Sequence, residues 1–179
     1  MKGSAEATLV ITAPPALSGR LAIHADARLT VGVLVELALE AKSLLVLASP
    51  YVNANSLLSD GVLANAVRRA LNSGVSVEIA SAGSNIQQLR GLLGTKTTAE
   101  QRLSLFQPQA NALDERQLGS HAKFCISDSR KAYLGSANFT TPGLGGHLEM
   151  GVVVEGKLAL QVSKFWADLK AIGLFVPAP

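Results

Sequence analysis

Apolar and polar positions along this chain follow two periods, and each change of period marks a change of element. Residues 8–12, Thr-Leu-Val-Ile-Thr, read as a short strand closed by Pro14 and Pro15, and Leu21 to His24 as another. From Thr30 the apolar positions Val33, Leu34, Leu37 and Ala41 recur at helical spacing, and Leu44 to Ala48 then reads as a buried strand stopped by Ser49-Pro50. Ser59 stands where it can cap the next helix, whose stripe is Val62, Leu63, Ala66, Val67, Ala70 and Leu71. Gly74 ends that helix, and Val75, Val77 and Ile79 alternate as a strand. Strand, helix and strand in this order make a β-α-β unit.

Beyond residue 80 the pattern is more broken. Asn85 to Leu93 and Thr98 to Phe106 read as two short helices, the second opened by Thr97-x-x-Glu100 in a capping arrangement. Gln107 to Gly119 is polar and reads as a surface loop. Ser120 to Ser127 and Ala132 to Ser136 then read as hairpin strands around a turn at Asp128, Ser129, Arg130 and Lys131. A glycine-rich loop, Thr140 to Gly146, leads to a strand at Leu148 to Val154. The closing helix repeats Leu158, Val162, Phe165, Trp166, Leu169 and Ile172 on one face. No internal repeat is visible.

Composition narrows the picture. The chain has 179 residues, 48% hydrophobic and only 16% charged, enough to bury a core without staples. Aromatics make up 4%, so that core is aliphatic, as suits a sheet covered by helices, and the class is α/β. The one cysteine, Cys125, excludes an internal disulfide and a thiolate zinc cluster, and fits a reducing cytoplasmic setting. No stretch approaches the roughly 20 apolar residues of a membrane span, so no membrane insertion is expected. A net charge of +3 allows an anionic partner without demanding one.

The chemistry concentrates in His121-Ala122-Lys123, Asp128, Gly135-Ser136-Ala137-Asn138 and Glu149. On a strand, side chains at i and i+2 point the same way, so His121 and Lys123 share a face. An imidazole beside an ammonium suits a phosphodiester, whose charged oxygens the lysine holds while a histidine nitrogen attacks phosphorus. Ser136 and Asn138, also two apart, offer hydroxyl and amide donors to the same pocket, and Gly135 permits close approach. Glu149 is placed to hold the second nitrogen of His121.

These residues resemble the phospholipase D superfamily, whose pattern is His-x-Lys, four residues, Asp, six residues, Gly-Ser-x-Asn. His121, Lys123, Asp128, Gly135, Ser136 and Asn138 match it gap for gap. Chance would align six such residues on the order of once in several hundred thousand chains, so the match is a signature rather than a coincidence. The helix running into Leu44-Leu-Val-Leu-Ala-Ser-Pro-Tyr-Val52 and the run Ala70-Leu-Asn-Ser-Gly-Val75 extend the likeness over roughly residues 29–172. That divides the chain into an N-terminal strand or extension, 1–28, and a phospholipase D-like domain, 29–179.

The resemblance implies a mixed central sheet with helices on both faces and one half-site per chain. It also implies a phosphohistidine mechanism without metal or other cofactor: one His121 attacks phosphorus, and that of a second copy protonates the leaving oxygen. Lys123 and Asn138 bind the phosphoryl oxygens, Ser136 assists, and Asp128, at the hairpin turn, supports. Two-domain members carry the motif twice and this chain once, so the implied partner is a second copy of itself, in a homodimer with its axis through the site. Among single-motif members the continuation Asn138-Phe-Thr-Thr-Pro-Gly-Leu is similar to small bacterial nucleases and to phospholipase D-like proteins of DISARM-type phage defence. DNA or RNA is thus the expected substrate and defence-system proteins are candidate partners. A phospholipase or phosphatidyl transferase, and a silent binding module, are the alternatives. Outside the motif His24 and Trp166 read as structural and Cys125 as buried, while His147 reads as a solvated loop residue rather than a substrate contact.

Overall fold

The computed structural model describes residues 7–52, 61–82, 86–93, 101–109 and 120–179. Nine strands form one mixed sheet: β1 Ala7–Thr12, β2 Arg28–Leu29, β3 Leu44–Ala48, β4 Ser76–Ala80, β5 Leu103–Pro108, β6 Phe124–Ser127, β7 Lys131–Gly135, β8 Glu149–Glu155 and β9 Phe175–Pro177. Their order is β2-β1-β8-β7-β6-β3-β4-β5-β9. β1 with β2, and β3 with β4 and β5, are parallel, while β6, β7 and β8 join these two groups through antiparallel pairs. The helices among the described residues are α1 Pro15–His24, α2 Thr30–Glu40, α3 Val62–Asn72, α4 Gln88–Leu93, α5 Thr141–Gly145 and α6 Lys157–Ala171.

Each face of the sheet has its own core. Val33, Leu34 and Leu37 of α2 and Leu63, Val67 and Leu71 of α3 cover Leu45, Leu47, Val77, Ile79, Cys125 and Tyr133. The opposite face carries Val46, Ala80, Phe124, Ile126 and Val154 under Ala159 and Trp166 of α6. Trp166 meets the rings of Phe106, Phe124 and Phe175 edge-on at 5.6, 5.9 and 5.1 Å, and its indole N–H donates to Glu78 Oε2 at 2.6 Å. Alternation along β3 feeds both cores at once, which is why that strand reads as a continuous apolar run, whereas β4 alternates, with Val77 and Ile79 on one face.

Several expectations are corrected. Leu21 to His24 belong to α1, not to a strand: Pro15 at the helix start presets the backbone, and none of the helix's residues is buried. Leu103 to Phe106 form a strand, because Leu103 and Leu105 enter the core while Ser104 stays exposed, a period of two. That strand continues through Gln107 and Pro108, where a loop was expected. The glycine-rich segment contains the short helix α5, capped by the Thr140 side chain accepting from the Gly143 N–H at 3.3 Å. Val62, Phe165 and Ile172 stand out in solvent rather than on their helices' buried stripes. The caps expected at Ser59 and at Thr97-x-x-Glu100 lie outside the described residues.

Candidate active site

The chemical residues gather where the parallel strands β1, β3 and β4 end and β6 and β8 begin. In α/β sheets this is the end at which the chain leaves a crevice for a ligand. β6 starts only at Phe124, so His121 and Lys123 lie in the extended lead-in rather than within the strand, a correction to the expected strand from Ser120. The ladder nevertheless reaches back one residue: the Gly135 N–H donates to the Lys123 carbonyl at 3.1 Å, setting Lys123 beside Gly135. His121 is exposed and Lys123 half-buried. The Lys123 ammonium donates to the carbonyl of His121 at 2.7 Å, and among the described residues no carboxylate pairs with it. The ammonium is thus held at the backbone of His121.

β7 ends in Gly135, and the chain turns there through Ser136, Ala137 and Asn138. The Ser136 N–H donates to the Met150 carbonyl at 2.9 Å, and the Met150 N–H returns to Ser136 Oγ at 3.1 Å. Ser136 then gives its one proton to Glu149 Oε2 at 2.5 Å, a short charge-assisted bond. Its donor, expected to face substrate, is thus committed to Glu149. Glu149 in turn does not hold His121, as the strand reading expected. Oε2 takes Ser136, and Oε1 lies 3.9 Å from Nδ1 of the exposed His147. His121 lies outside the ladder, and β7 stands between its segment and β8. His147 is an exposed loop residue, as expected, and its ring lies beside this acid.

The backbone next to Asn138 is steadied by a residue that the sequence reading used only as a strand stop. Ser49, buried at the carboxyl end of β3, accepts from the Phe139 N–H at 3.2 Å, donates to the Tyr51 carbonyl at 3.0 Å and lies 3.4 Å from Asn138 Oδ1. Its single proton goes to the nearer carbonyl. The available signal was a small hydroxyl residue at the ligand end of a buried parallel strand. Ser49 thus fixes the backbone beside Asn138 through the Phe139 N–H, and the Asn138 side chain is half-buried.

Asp128 lies away from this cluster. It sits at the other end of β6, about 13 Å of strand from the first residue of that element. Oδ1 accepts from the Ser43 and Leu44 N–H groups and the Ser43 hydroxyl at 2.8, 2.9 and 2.8 Å, and Oδ2 from the Lys42 N–H at 2.7 Å. Burial works to raise its pKa, but the N–H groups of Leu44, Ser43 and Lys42 and the Ser43 hydroxyl outweigh it and hold the carboxyl below its ordinary range. Asp128 also adopts a positive φ of 51°, as does Ser129 at 57°, and these bonds fix that turn. It fastens the hairpin to the start of β3 and does not reach the chemical cluster. Cys125 is fully buried, and burial pushes its thiol pKa up, which makes it a core residue.

Comparison with known proteins gives the chain a family and a fold. The family model described as the cardiolipin synthase, phospholipase D-like domain matches residues 34–171, so the chain belongs to the phospholipase D-like family. Among solved structures, Nuc from Salmonella typhimurium, a phospholipase D family member, superposes with a TM-score of 0.60 at 17% identity, covering 97% of this chain and 99% of that one. NucT from Helicobacter pylori does so with a TM-score of 0.65 at 16% identity, over 97% and 100%. The phosphatidylserine synthase of Haemophilus influenzae gives a TM-score of 0.67 at 13% identity, over 99% of this chain but 41% of the synthase. At these identities the likeness is one of fold. No curated protein matches the sequence. Among the described residues no helix is long and apolar enough to cross a membrane, and no three metal-ligating side chains converge.

Proposed function

We propose that this protein is a phosphodiesterase that cleaves nucleic-acid diesters through a phosphohistidine, at a centre completed by a second copy of the chain. The observation that carries this reading is the meeting of His121, a Lys123 ammonium with no carboxylate partner among the described residues, and Asn138 at one end of the sheet. An imidazole nitrogen of His121 attacks phosphorus. The bond to the leaving oxygen breaks as the second copy's imidazolium gives that oxygen a proton. The same second imidazole then takes a proton from water, whose oxygen displaces His121 from phosphorus. Lys123 and Asn138 hold the non-bridging oxygens, and Gly135 lets the backbone approach them. Glu149 keeps Ser136 in place and stabilises positive charge on a neighbouring imidazole. Each copy supplies one histidine, so two are required. The full-length match to Nuc and NucT, against 41% of the phosphatidylserine synthase, fits a one-half-site unit.

Phospholipid diesters are the second reading. Tyr51, Leu148 and Met150 expose apolar surface of 60%, 71% and 59% beside Ser49 and Glu149, a rim suited to acyl chains. The family model's own description points the same way. The test incubates the protein with EDTA against labelled single-stranded and duplex nucleic acids and against anionic phospholipid vesicles, with His121→Ala in parallel. Chelator-resistant cleavage of nucleic acid, lost in the variant, is the expected result. Turnover of lipid alone transfers the mechanism to the second reading, and retained nucleic-acid binding without turnover by either protein overturns both in favour of a binding module.

A further inference from the structure

Asn138 owes its place to the segment that follows it as well as to Ser49. Its carbonyl accepts from the Thr140 N–H at 2.8 Å, which closes a three-residue turn, and the chain then enters α5 at Thr141. The buried Gly143 of α5 comes to rest on the Asn138 backbone. A Cβ at Gly143 would stand 2.3 Å from the Asn138 carbonyl oxygen, 3.0 Å from its amide nitrogen and 3.1 Å from its carbonyl carbon. All three are backbone atoms, so no side chain can swing aside to make room.

Neither side of this contact is free to retreat. On the α5 side, Leu144 packs against the core, the Thr140 hydroxyl accepts from the Gly143 N–H at 3.3 Å, and the Pro142 carbonyl accepts from the Gly146 and His147 N–H groups at 2.8 and 2.7 Å. On the other side, the Phe139 N–H is held by Ser49 Oγ at 3.2 Å, and Phe139 is completely buried. Gly145, two residues on in the same helix, is the internal contrast, since a Cβ there would have nothing within 4 Å of it. Gly143 has a helical backbone that alanine adopts readily, and alanine is the better helix former, so the requirement for glycine is one of space.

We propose that Gly143 is a positioning residue for Asn138: with no side chain between them, α5 bears on the Asn138 carbonyl from one side while Ser49 grips the Phe139 N–H of the same peptide unit from the other. This clamp keeps the asparagine at the end of β7 in the place from which it holds a phosphoryl oxygen. Gly143 acts only through the Asn138 backbone. The catalytic consequence rests on the phosphodiesterase reading above; the contact itself does not.

The test compares Gly143→Ala with Gly145→Ala, with Ser49→Ala as a second variant of the clamp and thermal unfolding recorded for each. Expected is a fall in kcat per folded molecule on the order of a hundredfold in Gly143→Ala, a wild-type kcat in Gly145→Ala, and no further fall when Gly143→Ala is added to Asn138→Ala. Equal kcat in the two glycine variants, or losses that simply multiply in the double variant, overturns the proposal. If Gly143→Ala does not fold, Ser49→Ala decides: a loss that Asn138→Ala absorbs supports the clamp, and an unchanged or multiplying rate overturns it. Should the wild type turn over no phosphodiester, the activity reading fails and NMR decides the contact. The side-chain amide resonances of Asn138, assigned through Asn138→Ala, move in Gly143→Ala and stay in place in Gly145→Ala if the clamp is real, and behave alike in both if it is not.

Discussion

A carboxylate that accepts backbone N–H groups is a structural fastener whatever motif contains it. Asp128 accepts from three consecutive amides and one hydroxyl at the start of β3. Asp128→Ala is therefore expected to cost about 2 kcal/mol in stability while leaving the rate per folded molecule near that of wild type, as denaturant unfolding and steady-state kinetics on the same samples would read. The sign of its pH dependence follows from the depressed folded pKa. The contribution is complete above the ordinary carboxyl value of 3.8 and disappears as pH falls through the lower folded value. The stability gap between variant and wild type should thus close in acid. His121, Lys123, Ser136 and Asn138 were legible as residues because their spacing encodes neighbouring strand ends. The true partner of Glu149 was not, since whether an acid meets Ser136 or His121 depends on where β6 begins, and a lead-in of three residues has no periodicity to reveal it. Ser49 was hidden for another reason: alone in the sequence, it reads as a strand stop.

Elements were legible where burial imposes a period and obscure where a neighbouring element does so. β3, α2, α3 and β4 follow from their own apolar spacing, and the structure has them within a residue or two of the expected bounds. Residues 98–106 read as a helix, and pairing with β4 makes a strand from Leu103 instead: Val77 lies beside Leu103 and Ile79 beside Leu105. β9, three residues long, carries no pattern at all and exists because β5 offers it an edge. The stripe on α6 was read too wide, for Trp166 and Ala159 alone are fully buried there. That narrow contact makes Trp166 the fastening of the helix, through three rings and the Glu78 carboxylate, which Lys170 also grips at 2.6 and 2.7 Å. Trp166→Ala should lower stability by about 4 kcal/mol, measured by far-ultraviolet circular dichroism in urea. Trp166→Phe should retain most of the ring packing and lose chiefly the indole bond to Glu78.

At the scale of the whole molecule, the α/β class follows from an aliphatic, weakly charged chain, but the strand order does not. β1 is paired with β8, nearly the length of the chain away, with Leu9 beside Val152, and only the folded topology brings these together. The same pairing sets Thr12 against Glu149, so the N-terminal strand helps to floor the site. What one chain lacks is a second histidine of the motif at its own site, and this separates a centre shared between two copies from two independent ones. When wild type and His121→Ala exchange subunits freely, a shared centre is active only where both copies carry the imidazole. Activity then falls as the square of the wild-type fraction, to about a quarter at equal mixing for the same total protein, whereas independent sites keep about half. The curve is best measured at a concentration where sedimentation shows dimers, with co-expressed, doubly tagged heterodimers as the purified check. A heterodimer with half the wild-type rate would assign a complete mechanism to each chain and exclude the second histidine from the chemistry.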